Sequence, residues 1–222
     1  MPVRTTRMFL SATVPVITAL LIVVMFRPHT TEPRRKSGLL RFENFETGDI
    51  IFQVSSSAQS QFIQEATHSP YSHIGVIHRE GREYRVYEAV QPVKLTNLSE
   101  WIKRGEKGHY VVKRLNDTTL LTPAGIERLK KSLKKHLNKD YDAYFEWTDD
   151  KMYCSELVWK AYEEAFGIRL GEPKLLQHFD LSSDLVKAKL KERYGDKVPL
   201  TEKVISPAEI FNSKNLVVIA QQ

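Results

Sequence analysis

The sequence predicts an α+β domain, with antiparallel strands first and helices after them. Three observations carry this. Short apolar runs with turn residues between them fill positions 47–115. Two long stripes of helical period follow position 122. The 222 residues are 41% hydrophobic and 27% charged, a globular composition with enough length for a core.

The strands come in order. Thr47-Gly48 is a turn that leads into Asp49-Ile50-Ile51-Phe52-Gln53-Val54. Gln59 to Thr67 reads as a short helix that Ser69-Pro70 breaks. Ser72 to His78 is a strand, Glu80-Gly81 a hairpin turn, and Glu83 to Val90 the return, with Arg85 and Tyr87 alternating against Tyr84, Val86 and Glu88. Val93 to Leu95 is a further strand, Leu98 to Arg104 a short helix with Trp101, and His109 to Leu115 another strand.

The helices follow. Thr122-Pro123 is an N-cap with proline at the first helical position. Ile126, Leu129, Leu133 and Leu137 then form one stripe, with lysines opposite. A polar–aromatic loop over 141–147 leads to a second helix at Cys154, carrying Leu157, Val158, Ala161, Tyr162, Ala165 and Phe166 on one face and stopped by Gly167. Residues 170–179 read as irregular, and Ser183-Asp184 caps a basic helix to Tyr194. Ser206 to Phe211 is a helical turn, and Asn215 to Ala220 an apolar strand.

Ahead of this domain lie two segments. Met8 to Phe26 is 19 residues without a charged side chain, nearly the thickness of a hydrocarbon core. No small-x-small site follows it, so residues 1–26 read as a retained transmembrane signal anchor rather than a cleaved signal peptide. Residues 27–41, rich in Pro, Thr and basic residues, read as a linker, and the domain as 42–222. That organisation leads us to expect a membrane-anchored protein with its domain on the periplasmic or extracellular side. The net charge of +6 reflects solvated helix faces and some attraction to an anionic membrane or cell-wall polymer. Aromatic and basic residues do not interleave, so no nucleic-acid partner is expected.

Cys154 is the only cysteine, so no internal disulfide can form. In the first turn of a helix it faces unpaired N–H groups and the positive end of the dipole, which favour thiolate over thiol. The competing reading is a small buried hydrophobe. A cysteine nucleophile needs a base, and the base an orienting group. Of seven histidines, His29 lies in the linker, His136 on the basic helix face, His68 and His178 in irregular stretches, His109 at a strand start, and His78 beside a turn where exposure is expected. His73 alone opens a strand that reads as buried, next to Gly75, which lets another chain approach closely. Folding the hairpin about Glu80-Gly81 pairs His73 with Glu88, so that Glu88 takes one imidazole nitrogen and leaves the other for a thiol. A surface His–Glu pair without catalytic meaning is the alternative. Asp140, Asp142, Asp149 and Asp150 lack the glycine and distal glutamate of a calcium loop and read as solvent-facing charge leading into a helix. No metal or other cofactor is expected.

Taken together, Ser72-His73-Ile74-Gly75-Val76, Glu88 on a following strand and Tyr153-Cys154-Ser155-Glu156-Leu157-Val158 resemble the circularly permuted, papain-like NlpC/P60-type cysteine hydrolases of the YiiX/YebB-like group. Gly48-Asp49-Ile50-Ile51 and Tyr141-Asp142 are similar too. His73 precedes Cys154 by 81 residues, the permuted order. The resemblance implies an antiparallel sheet with the nucleophile helix packed on it, Cys154 as nucleophile, His73 as base and Glu88 as orienter. It also implies that Tyr141 lies near the nucleophile and helps the oxyanion hole. The expected activity is hydrolysis of an amide in peptidoglycan-type peptides through an acyl-enzyme. A thiol acyltransferase or lipid esterase, and a non-catalytic cell-envelope binding module, are the alternatives. The pocket walls are expected from loops 54–60 and 171–181, whose shape spacing does not reveal.

Overall fold

A computed structural model of the chain describes Met1 and residues 44–57 and 59–222. The linker, and all of the anchor but Met1, fall outside the described residues. The strands are β1 (Ile50–Gln53), β2 (His73–Glu80), β3 (Glu83–Glu88), β4 (Lys94–Asn97), β5 (Val111–Leu115), β6 (Lys174–Leu175), β7 (Lys203–Val204) and β8 (Leu216–Gln221). The α-helices are α1 (Ser60–Thr67), α2 (Leu98–Lys103), α3 (Pro123–Lys135), α4 (Cys154–Phe166), α5 (Asp184–Tyr194) and α6 (Pro207–Phe211). Six strands form one antiparallel sheet in the order β4-β3-β2-β1-β5-β8, and β6 pairs with β7 separately. The class is α+β, as the sequence predicts.

Strand alternation divides the core between the sheet's two faces. Ile50, Phe52, Ile74, Val76 and Tyr87 join the apolar faces of α1, α3 and α4. Ile51, Ile77, Val86 and Val112 join Phe45, Tyr110 and the Trp101 side of α2. The Thr122 side chain caps α3 by accepting from Gly125 N–H, and Gly167 ends α4 in the left-handed region at φ 69°. α3 packs along α4, and α4 lies against β2.

The Gly48-Asp49 turn is structural. Asp49 is fully buried, and Arg114 donates to both of its oxygens, at 2.6 and 2.8 Å. Gly48 takes φ +97°, and its carbonyl accepts from the Tyr162 hydroxyl on α4. The motif thus ties the first strand to α4.

Three expectations about individual residues need correction. His78 is buried, because β2 runs two residues further than expected and its ring meets Tyr87. His136 is fully buried: it follows Leu129 and Leu133 at i+7 and i+3 and so lies on the inward stripe, not the basic face. Burial, then the charges of Lys139 and Lys135, hold its imidazole down at about 4. Asp142 is buried too, accepting from Tyr144 N–H to close a turn.

Candidate active site

Cys154 is the first residue of α4, buried, with Tyr153 before it in extended backbone. The start of the helix is fastened from two sides. Ser155 Oγ donates to the Ile205 carbonyl at 2.8 Å, and Ile205 N–H donates to the Tyr153 hydroxyl at 3.1 Å. Glu156 Oε2 accepts from Tyr153 N–H at 3.3 Å, the reach-back half of a capping box. These bonds hold the thiol at a fixed place on the first turn, where backbone N–H groups lack helical partners.

His73 opens β2 and stacks on Trp101 of α2, with ring centroids 5.7 Å apart and an interplanar angle of 25°. Its Nε2 lies 2.7 Å from Glu88 Oε2. That leaves Nδ1 for Cys154, whose side chain is close enough to help raise the imidazole's pKa. The structure therefore brings Cys154, His73 and Glu88 together.

The route by which Glu88 arrives differs from the expectation. The hairpin turn is Gly81-Arg82, with Glu80 opposite Glu83, and Val76 pairs with Tyr87. One more step along this register sets Glu88 opposite Gly75, not His73. Two residues of offset keep the same face, because side chains alternate with period two. Glu88 is thus a diagonal neighbour of His73, and Gly75 leaves the space it leans across. A Cβ on Gly75 would stand 3.6 Å from Glu88 Cβ and 2.4 Å from Val86 Cγ1.

Glu88 is fully buried yet ionised. Burial pushes its carboxyl up, but the bond and charge of His73 and the bonds from Arg104 and Thr96 outweigh that and bring it to about 2. Thr96 Oγ1 and Arg104 Nη2 each donate to Oε1 at 2.5 Å, leaving Oε2 for the imidazole. For His73, burial works downward, while the hydrogen bonds and charges of Cys154 and Glu88 lift it to about 9. The imidazolium is thereby stabilised between two groups able to carry negative charge. The sequence reading missed Thr96, Trp101 and Arg104 as parts of the site. Arg104 follows the last turn of α2 and shows nothing beyond an ordinary helix-end cation.

Tyr141 lies in a short bridge to Met152, two residues before the nucleophile. Its hydroxyl accepts from Gln59 Nε2 at 2.8 Å, and its ionisation is disfavoured by burial first and then by the charge of Cys154. Both concave surfaces at the site use the expected loops. A small apolar pocket against Cys154 is walled by Phe62, Phe145, Leu176, Phe179, Leu181 and Ile205. A mixed groove beside His73 is lined by Gln53, Ser55, Gln59, Arg104 and Tyr141 together with the apolar Ala89 and Val90. Ile63 borders both. Among the described residues, no group of three or more His, Cys, Asp or Glu side chains is placed to hold a metal ion.

The comparisons agree with this geometry. Residues 44–220 match the family model described as "Permuted papain-like amidase enzyme, YaeF/YiiX, C92 family". The chain is 49% identical over 177 residues to "Uncharacterized protein YiiX" of Escherichia coli (strain K12), covering 80% of this chain and 87% of that protein. A crystal structure described as metalloprotein yiiX from Escherichia coli O157:H7 is 50% identical, with a TM-score of 0.77, over 80% of this chain and 97% of that one. The sheet with α4 laid on it, the order of His73 ahead of Cys154 in the chain and these likenesses place the protein in the family of permuted papain-like amidases.

Proposed function

We propose that the protein is a cysteine amidase that cleaves an amide with an apolar acyl group and releases a polar amine. The observation that carries this is the pairing of surfaces at the dyad: a wholly apolar pocket against Cys154 and, beside His73, a groove that adds hydrogen-bonding side chains. The thiolate adds to the carbonyl carbon, and the C=O pair moves onto oxygen. N–H groups at the start of α4 and the Tyr141 hydroxyl stabilise that oxyanion. His73, protonated and held by Glu88, gives its proton to the leaving nitrogen, and the C–N bond breaks. Water, deprotonated by His73, then cleaves the thioester and regenerates the thiol.

The E. coli relative is described as a metalloprotein, but the donor set here does not fit a resident metal. Cys154 and His73 are two donors, and Glu88 has one oxygen on His73 and the other on Thr96 and Arg104. No step is routed through a metal.

The groove's glutamine, serine and arginine side chains favour a second reading, a peptidoglycan-type peptide substrate. Turnover of octanoyl para-nitroanilide and of a muropeptide by the full chain separates the two, with Cys154→Ala and His73→Ala as controls. Faster octanoyl turnover supports the apolar acyl reading, and muropeptide cleavage alone replaces it. Cleavage of neither, with Cys154 no more reactive to iodoacetamide than a free thiol, sinks the amidase reading and favours a binding module.

A further inference from the structure

We infer that Gln59 and Arg193 are positioning residues that aim the Tyr141 hydroxyl hydrogen at the oxyanion, an inference that rests on the acyl-transfer reading above. Arg193 Nη2 donates to Gln59 Oε1 at 2.6 Å, and Gln59 Nε2 donates to the Tyr141 hydroxyl at 2.8 Å. A guanidinium has donors only, so the amide oxygen of Gln59 must face Arg193 and its NH₂ must face Tyr141. An amide that faced the other way would set two donors against each other. The Tyr141 oxygen is therefore an acceptor toward Gln59, and its own hydrogen must point elsewhere. Tyr141 lines the groove beside His73, within electrostatic reach of Cys154. The hydrogen is left for an oxygen arriving at that thiol.

Arg193 is itself held firmly. Its Cζ lies 4.9 Å from the ring centroids of both Phe62 and Phe145, which stack parallel at 6.4 Å. Both rings also line the apolar cavity. The relay from α5 through Gln59 to Tyr141 thus shares a wall with the place where an acyl chain would sit. Without it, the hydroxyl would be free to rotate, and one donor of the oxyanion hole would be lost for part of the time.

The test uses octanal, which adds reversibly to a thiolate and forms a thiohemiacetal oxyanion. Its binding is read as protection of Cys154 from iodoacetamide in the full chain, held in detergent. Gln59→Glu is isosteric and keeps a partner for Arg193, but it presents Tyr141 with an acceptor, so the hydroxyl hydrogen turns away from the site. Gln59→Glu and Tyr141→Phe are each expected to raise the half-protecting octanal concentration about tenfold to a hundredfold. The double variant is expected to match Tyr141→Phe alone, with protection in each variant expressed relative to its own alkylation rate without octanal. Arg193→Leu, which frees the amide to flip, is expected to lose protection, and Arg193→Lys, which keeps a donor, to retain most of it. Wild-type protection in Gln59→Glu, or losses that multiply in the double variant, overturns the inference alone. If octanal fails to protect wild-type Cys154, the acyl-transfer reading falls and takes the inference with it.

Discussion

Replacing Glu88 by Gln tests the triad at the point where the structure makes the sharpest statement. Arg104 and Thr96 both sit on Oε1, and Arg104 can only donate. The glutamine oxygen must therefore take the Oε1 place, and the NH₂ must take the place 2.7 Å from His73 Nε2. Nε2 is then forced to accept, and the imidazole proton moves to Nδ1, the nitrogen that faces Cys154. The base is blocked by its own proton. The rise of His73 from 6.5 to about 9 corresponds to on the order of 3 kcal/mol in favour of imidazolium, shared between Cys154 and Glu88. Loss of the correct tautomer in a comparable triad costs about 10⁴ in kcat. We expect kcat on octanoyl para-nitroanilide to fall about 10³- to 10⁴-fold, with KM changed little. Iodoacetamide alkylation at neutral pH, read by mass spectrometry on the single cysteine, should slow as well. Activity and alkylation both within threefold of wild type would refute the assigned role of Glu88.

Other outcomes follow from the same geometry. Across a series of acyl para-nitroanilides, kcat/KM should rise about fourfold per added CH₂ until the cavity is full, from about 0.8 kcal/mol per buried methylene; a flat series counts against the apolar acyl site. Gly75→Ala puts a Cβ 2.4 Å from Val86 Cγ1 and 2.7 Å from the Tyr87 carbonyl oxygen, so urea denaturation should show a loss of about 1–3 kcal/mol, and activity should fall as β3 carries Glu88 away from His73. The pH dependence of stability has two arms. His73, raised in the fold, contributes stability that is full below 6.5 and lost as pH rises through about 9, whereas Glu88, depressed, contributes stability that is full above 4.5 and lost as pH falls toward about 2. Thermal melts should therefore show a decline between pH 6.5 and 9 that His73→Ala abolishes.

Much of this was legible in the residues. Period-two runs and capped helical stripes locate the six strands of the main sheet and both long helices within a residue or two, because capping residues and glycine stops mark where each must end, but the two-residue β6 and β7 are too short to show a period. Cys154, His73 and Glu88 were legible for a different reason: a thiol at a helix start and a histidine on a core strand are rare placements. The register of the hairpin was not legible, since a turn about Glu80-Gly81 and one about Gly81-Arg82 differ by two residues and leave every side chain on the same face. That degeneracy is also why Glu88 met His73 despite the shift. Arg104, Thr96, Gln59 and Arg193 were not legible at all. Each is an ordinary polar residue in its own segment, and only the fold brings segments as distant as 59 and 193 within 2.6 Å. His136 was misplaced by reading its lysine neighbours rather than its distance from Leu129.

The order of the triad along the chain has a consequence for biosynthesis. His73 and Glu88 stand 15 residues apart on one hairpin, a local unit that a nascent chain can close as soon as it emerges. Cys154 emerges long afterwards, and Ile205, which braces its helix start, later still. The thiol can therefore acquire its base before the clamp on its helix is complete, but it meets a finished acid–base pair rather than loose groups. β8, which follows Cys154 and Ile205 in the chain, covers the edge of β5. A chain broken off before Leu216 would carry Cys154, His73 and Glu88 and still leave the edge of β5 unpaired, a ready template for pairing with another chain.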